Sequence, residues 1–189
     1  MNRLRSGRSG GAAAAWILIA ILAVGIFLVI GIAVVIVLPL MRDARTPADY
    51  ESSAVGWLRV INSGEERYSA ACAQGGYAVS LENLAKPPRA GGSPFVPGDI
   101  GTNGVRKDGY RFAVVRSRAA GVTDIGTVAA TCNGSTATPA SGYFASAEPT
   151  DPGRKGRRYF ATDGSGTVYQ SDRPIANPIL PSAAVVAMQ

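Results

Sequence analysis

Cysteines and carboxylates are the residues of this chain whose types and spacing could support chemistry. The chain contains no histidine, which removes the commonest general base and a leading metal ligand. Without a histidine beside them, neither the serines nor Cys72 can form the usual pair of nucleophile and base. The sequence therefore predicts no catalytic residue, no cofactor and no enzymatic activity.

Cys72 and Cys132 are the two cysteines of the chain. A bond between them would close a loop of about 60 residues and stabilise the fold by roughly 3–4.5 kcal/mol in the chain-entropy model. Two separate buried thiols are the alternative, because the sequence alone cannot place the two Cα atoms within bonding distance. We expect a disulfide, provided that the domain lies in an oxidising compartment.

Acidic residues offer two further candidates for a site. The turn 163–166 (DGSG) could begin a calcium loop, since calcium takes carboxylate and carbonyl oxygens as ligands. The EF-hand spacing is absent and Asp172 is the only acid that follows, so a plain β-turn and no metal site are predicted. Glu65 and Glu66 are adjacent on a predicted helix and point in different directions, so they do not form an acid–base pair. Glu65 could cap the sheet, and otherwise both are surface charges.

A basic cluster lies in the C-terminal half of the chain and comprises Arg154, Lys155, Arg157 and Arg158. Such a cluster next to aromatic residues could contact phosphates. More often it is a solvated loop that leads into a strand. Of the net charge of +6, half comes from three arginines at the N-terminus. Nucleic acid is therefore not expected as a partner.

One uncharged apolar run dominates the N-terminal part of the chain. As a helix, the run would be roughly 40 Å long, which exceeds the hydrocarbon thickness of about 30 Å. We predict a transmembrane helix over residues 12–40, in contact with membrane lipid. Arginines but no acids occur in residues 1–11, so the positive-inside rule places this tail or leader in the cytoplasm and the C-terminal domain outside.

A second, amphipathic helix is predicted after a kink or linker at residues 41–47. Thr46 as N-cap, Pro47 at the first helical position and Asp49 two residues later have the pattern of a capping box. Apolar residues then recur on one face as far as Cys72. We expect the two helices to form one nearly continuous rod.

The predicted globular domain spans residues 48–173. Three apolar stretches with strand character occupy residues 110–115, 142–147 and 158–170, and the last is a hairpin with a glycine-rich turn. The Pro- and Ala-rich segment 174–189 is predicted to be loosely ordered. The expected fold class is α+β, in which a long N-terminal helix, with a membrane-spanning half and an amphipathic half, packs on a small antiparallel sheet of three to five strands.

Four segments together resemble the type IV pilins and the type II secretion pseudopilins. The helical segment 52–68 contains the series Leu-Arg, Ile-Asn, acid, Tyr. Downstream, residues 109–112 match GY-x-F, residues 143–149 match Y-x-x-x-A-x-P, and residues 156–166 match G-x-R-x-F-x-x-D-x-x-G. The resemblance covers about residues 48–170.

This resemblance implies a structural pilin-like, membrane-anchored subunit of a type IV pilus or type II secretion-type filament. Its partners would be other pilin-like subunits or the secretion or pilus machinery. Its place would be the bacterial inner membrane, as a single-pass protein, or a surface filament. Family members carry a Glu at the fifth position after the leader glycine. In this chain the fifth residue after Gly11 is Trp16. A non-polymerising, membrane-tethered binding or sensor domain with a pilin-like fold is therefore the alternative.

Overall fold

The computed structural model describes Trp16 and residues 21–32 and 45–188. The chain divides into two compact units, Met1–Arg45 and Thr46–Gln189. In the first unit, residues 21–32 are helical and exposed.

Two predictions about the first unit are wrong. Among the described residues, none of the helices combines the length and apolar character that a membrane crossing requires. This finding overturns the membrane-spanning half of a long N-terminal helix and the single-pass location in the inner membrane. The tail 1–11, most of the span 12–40 and residues 41–44 of the linker lie outside the described residues.

Helix α1 (Pro47–Ala71) begins where the sequence predicts. The Asp49 amide donates to Thr46 Oγ1 at 3.3 Å, and the Thr46 amide donates to Asp49 Oδ2 at 2.8 Å. This capping box satisfies donors that the first turn leaves without intrahelical partners. Thr46 has extended backbone angles, so α1 starts as a helix in its own right at the predicted N-cap.

Six antiparallel strands follow α1 in sequential order, so that each strand pairs with its neighbours in the chain. The expected number was three to five. The two shortest strands, at the sheet edges, contain two residues each and are too short to show an alternating pattern. The strands are β1 (Arg106–Lys107), β2 (Tyr110–Arg116), β3 (Tyr143–Pro149), β4 (Tyr159–Asp163), β5 (Val168–Ser171) and β6 (Val186–Ala187). A short helix, α2 (Leu81–Leu84), and two single-turn 3-10 helices, Gly98–Ile100 and Val128–Ala130, lie in the connections.

The main hydrophobic core lies between α1 and the sheet. Along α1, fully buried side chains recur at intervals of three or four residues, the spacing that places them on one face of a helix. The strands contribute alternate residues, because successive side chains point to opposite faces. The core residues that are completely buried include Ala54, Leu58, Ile61, Tyr68, Tyr110, Phe112, Val114, Ala145 and Ala147.

The outer edge of β2 is covered by asparagine side chains. Asn103 Oδ1 accepts from the Val114 amide at 2.9 Å, and Asn103 Nδ2 donates to the Val114 carbonyl at 2.8 Å. Asn177 acts similarly further along, donating to the Arg116 carbonyl at 2.9 Å and accepting from the Arg118 amide at 2.8 Å. An uncovered strand edge is a template for pairing with another chain, so these amides take the place of a missing neighbour strand.

The segment after residue 173 is attached to the domain at several points. β6 pairs with β5, and the Met188 amide donates to the Val168 carbonyl at 2.8 Å. Ile179 is buried in a second, smaller apolar cluster with Phe144 and Ala161. Loose order was predicted here because the segment has no period of its own, and the contacts that attach it to the domain are with residues far away in the sequence.

The predicted cysteine pair is bonded in the structure, with an S–S distance of 2.04 Å and a Cα–Cα distance of 4.6 Å. Cys72 is the C-cap of α1, and Cys132 lies in the connection between β2 and β3. The Cys132 amide also donates to the Cys72 carbonyl at 3.0 Å. The disulfide therefore ties the end of α1 to a long loop that has little regular structure.

Replacing both cysteines by serine is expected to lower the free energy of unfolding by about 3–4 kcal/mol, because the bond closes a loop with a sequence separation of 60 residues. Urea denaturation of the wild type and of the C72S/C132S variant would measure this difference. The reduced wild type is the control and should match the double variant. Equal stability of the oxidised wild type and the variant would contradict the prediction.

Replacing Asn103 by alanine is expected to destabilise the domain by roughly 1–3 kcal/mol, because the Val114 peptide groups lose their partners. The Leu81 amide also loses its acceptor, Asn103 Oδ1, at 3.2 Å. Urea denaturation would measure the loss, with Thr102→Ala at the exposed neighbouring position as the control. If both variants lose the same small amount, Asn103 does not protect this edge.

Candidate functional site

Asn62 joins α1 to the middle of the sheet. Its Nδ2 donates to Thr162 Oγ1 and to the Gly166 carbonyl, each at 3.0 Å, and its Oδ1 accepts from Tyr143 Oη at 2.8 Å. Asn62 and Thr162 are buried, and Tyr143 is 2 % exposed. Burial of the Tyr143 ring is the largest cause that raises the pKa of its hydroxyl, which keeps the hydroxyl neutral and able to donate.

A carboxylate near the start of α1 holds the chain just before β4. Glu51 Oε1 accepts from the Arg157 amide at 2.8 Å and from the Arg158 amide at 3.3 Å, and Glu51 Oε2 pairs with Arg158 Nε at 3.1 Å. The Glu51 side chain is 11 % exposed. Its negative charge is therefore compensated by one guanidinium and two backbone amides, as a nearly buried charge requires.

Two adjoining cavities open around this carboxylate, and together we call them the Glu51 crevice. One, of about 310 Å³, is lined by Ala48, Glu51, Ser52, Val55, Arg59, Arg158, Phe160 and Met188. The other, of about 450 Å³, is lined by Thr46, Pro47, Ala48, Glu51, Arg157, Arg158 and Asp172. The crevice thus follows the first turns of α1 along the side that meets β4, with Val55 and Phe160 as part of an apolar floor and arginines at its rim.

Glu65 lies in the core and not on the surface. Its side chain is fully buried, and its Oε2 accepts from the Ala78 amide at 2.8 Å. Its Oε1 has no hydrogen-bond partner among the described residues. Burial raises the pKa of Glu65 well above its usual range, and the Ala78 hydrogen bond offsets only part of that effect. Since burial of an uncompensated charge is costly, the surroundings favour the neutral form of Glu65, whose hydrogen bond to Ala78 joins α1 to the segment after the disulfide.

The turn 163–166 and the basic cluster, the other candidates from the sequence, form hydrogen bonds and ion pairs within the domain. In the turn 163–166, Asp163 Oδ1 accepts from the Ser165 amide at 2.9 Å, and the Gly166 amide donates to the Asp163 carbonyl at 2.9 Å, which is a plain turn. Across the described residues, His, Cys, Asp and Glu side chains form no group of three or more that could hold a metal ion. In the basic cluster, Arg158 pairs with Glu51 and Arg154 pairs with Asp151 at 3.5 Å.

Sequence reasoning missed Glu65, Asn62 and Glu51 as buried residues. A signal for the first two was present, because Asn62 and Glu65 fall within the apolar stripe between Ile61 and Tyr68. For Glu51 there was none, since its partners lie 106 and 107 residues further along the chain. These side chains accept and donate hydrogen bonds that hold α1 in place.

Comparisons with protein-family models, with curated proteins and with solved structures gave no match.

Replacing Glu65 by glutamine is expected to remove a pH dependence of stability. The native state keeps Glu65 protonated where the unfolded chain, with a pKa near 4.5, has already ionised. The native state then binds more protons, so the free energy of unfolding decreases as the pH rises from about 4.5 towards the raised pKa. Glutamine cannot ionise and still accepts from the Ala78 amide, so the decline should disappear.

Chemical denaturation of the wild type and E65Q from acidic to mildly alkaline pH would measure this effect. Glu66→Gln at the exposed neighbouring position is the matched control and should leave the decline unchanged. The prediction fails if wild type and E65Q show the same slope of stability against pH.

Proposed function

We propose that this chain is a structural, non-catalytic subunit related to the pilins, which acts in a type IV pilus or a type II secretion-type filament system. Its partners are other pilin-like subunits or the pilus or secretion machinery. The observation that carries the proposal is where the resembling segments lie in the structure.

The four resembling segments occupy neighbouring elements. The helical segment lies within α1, and the three downstream motifs coincide with β2, β3 and β4. β2 pairs with β3 along its whole length, and β3 pairs with β4. The resembling segments thus lie on the helix and strands that enclose the main core, and this placement supports the proposal.

The motif residues also contact one another. Tyr110 of the GY-x-F motif donates from its hydroxyl to the Arg158 carbonyl at 2.9 Å, and its ring packs on Phe160 with centroids 5.8 Å apart. A Cβ at Gly156 would lie 2.1 Å from Tyr110 Oη, so the motif glycine makes room for the motif tyrosine. Tyr143 binds Asn62 of α1, as described above. The motif residues thus stabilise the fold, which is consistent with a structural subunit.

Assembly needs a surface that the fold does not use, and the outer face of α1 provides one. Gly56, Ser63 and Ala70 are exposed on this face at intervals of seven residues. Small side chains allow two helices to approach closely. We therefore place the test of the proposal on this face of α1.

Gly56→Glu separates assembly from folding. A Cβ at Gly56 meets no atom within 4 Å, and replacing glycine in a helix interior gains about 0.5–1 kcal/mol. The variant monomer should therefore be at least as stable as the wild type, while its larger charged side chain blocks helix approach. We expect the full-length wild type to form oligomers or filaments that G56E does not form, as measured by light scattering and electron microscopy.

Gly98→Glu is the matched control, because Gly98 is an exposed glycine outside α1 whose Cβ would also meet no atom within 4 Å. It should assemble like the wild type. A wild type that stays monomeric at every concentration, with or without a sheared-fibre fraction of expressing cells as seed, would contradict the proposal. So would equal assembly by G56E.

A further inference from the structure

The Glu51 crevice contains two arginine side chains that form no ion pair. Arg158 is paired with Glu51. Arg59 and Arg157 also line the crevice, and their guanidinium groups are in no ion pair within the part of the chain that the structure describes. Both residues are exposed. Two cationic groups thus stand at the rim of a concave surface, free to bind carboxylates, for which the planar guanidinium is the best-matched side chain.

The floor of the crevice is apolar. Phe160 is 2 % exposed and Val55 is 6 % exposed, and both line the cavity of about 310 Å³ together with Met188. An apolar floor under a charged rim is the common composition of ligand sites, in which the apolar part supplies affinity and a few polar groups fix orientation. A ligand that fits both features has an aliphatic side chain beside its carboxylates.

The shape favours an extended ligand. The two cavities share Ala48, Glu51 and Arg158 as lining residues, so they adjoin one another. A third cavity, lined by Arg158, Gln170, Ser171, Asp172, Ala183, Ala184 and Val186, shares Arg158 and Asp172 with the second and prolongs the crevice towards β6. A peptide in extended conformation can follow such a path while its alternate side chains face the floor.

We propose that the Glu51 crevice binds an acidic peptide segment that carries an aliphatic side chain between carboxylates. Arg59 and Arg157 bind the carboxylates, and the aliphatic side chain packs on Val55 and Phe160. Nucleic acid fits less well, because it offers no aliphatic side chain for the apolar floor formed by Val55 and Phe160. This binding goes beyond the assembly role proposed above, because the occupant is an acidic peptide and not a second pilin-like subunit.

The test uses the full-length protein and a fluorescein-labelled peptide of alternating glutamate and leucine, with fluorescence anisotropy as the readout. We expect saturable binding that weakens about tenfold in Arg59→Glu and in Arg157→Glu, because each loses a charge-assisted contact. The matched control is Arg118→Glu, at an exposed arginine outside the crevice, which should bind like the wild type. Urea denaturation of each variant establishes that the fold is unchanged.

Two further probes define the ligand class. A peptide with alanine in place of leucine should bind more weakly if the apolar floor is used, and a lysine–leucine peptide should not bind. The proposal is overturned if the acidic peptide does not bind, or if Arg118→Glu weakens binding as much as Arg59→Glu. It is also overturned if a single-stranded oligonucleotide of equal charge binds more tightly than the peptide.

Discussion

The attachment of α1 to the middle strands of the sheet is the constraint on which the rest of this structure depends. Burial of the apolar face of α1 supplies most of the driving force, but that force is non-directional and would tolerate a helix that is shifted or rotated. Asn62 removes this freedom, because its amide finds donors and acceptors on β3 and β4 in one arrangement only. Each buried donor or acceptor of this amide that lost its partner would cost roughly 1–3 kcal/mol. Other positions of α1 are therefore disfavoured.

The two ends of α1 are held by different chemistry. Near its start, Glu51 binds the backbone and side chain before β4. At its end, the disulfide of Cys72 and the neutral carboxyl of Glu65 hold the segments that follow. The long connections between α1, β2 and β3 contain little regular structure, and these polar and covalent links take over the role that strand pairing has elsewhere in the domain. The sheet ends in the two-residue strands β1 and β6, and the side-chain amide of Asn103 covers part of the β2 edge that β1 leaves unpaired.

The functional proposals follow from what this framework leaves unused. The signature residues that resemble those of the pilins are occupied in contacts with one another, which fits a protein whose role is structural. The outer face of α1 and the Glu51 crevice are surfaces that folding of the domain leaves accessible. They adjoin along α1, because Ser52 and Arg59 of the crevice lie four and three residues from Gly56 on one helix.

Local signals in the sequence determined the start of α1, the four central strands β2 to β5 and the candidate cysteine pair. The capping box acts over three residues and strand alternation over six or seven, so both can be read without knowledge of the fold. The apolar run suggested a membrane helix, but composition over a run does not establish a helix of membrane-spanning length, and none is found among the described residues. Only the tertiary structure decided the burial of Glu65, the pairing of Glu51 with Arg158, the covering of β2 by Asn103 and Asn177, and the strand β6. Each of these depends on residues that come together only when the chain folds, and no local pattern encodes which distant group will meet a given side chain.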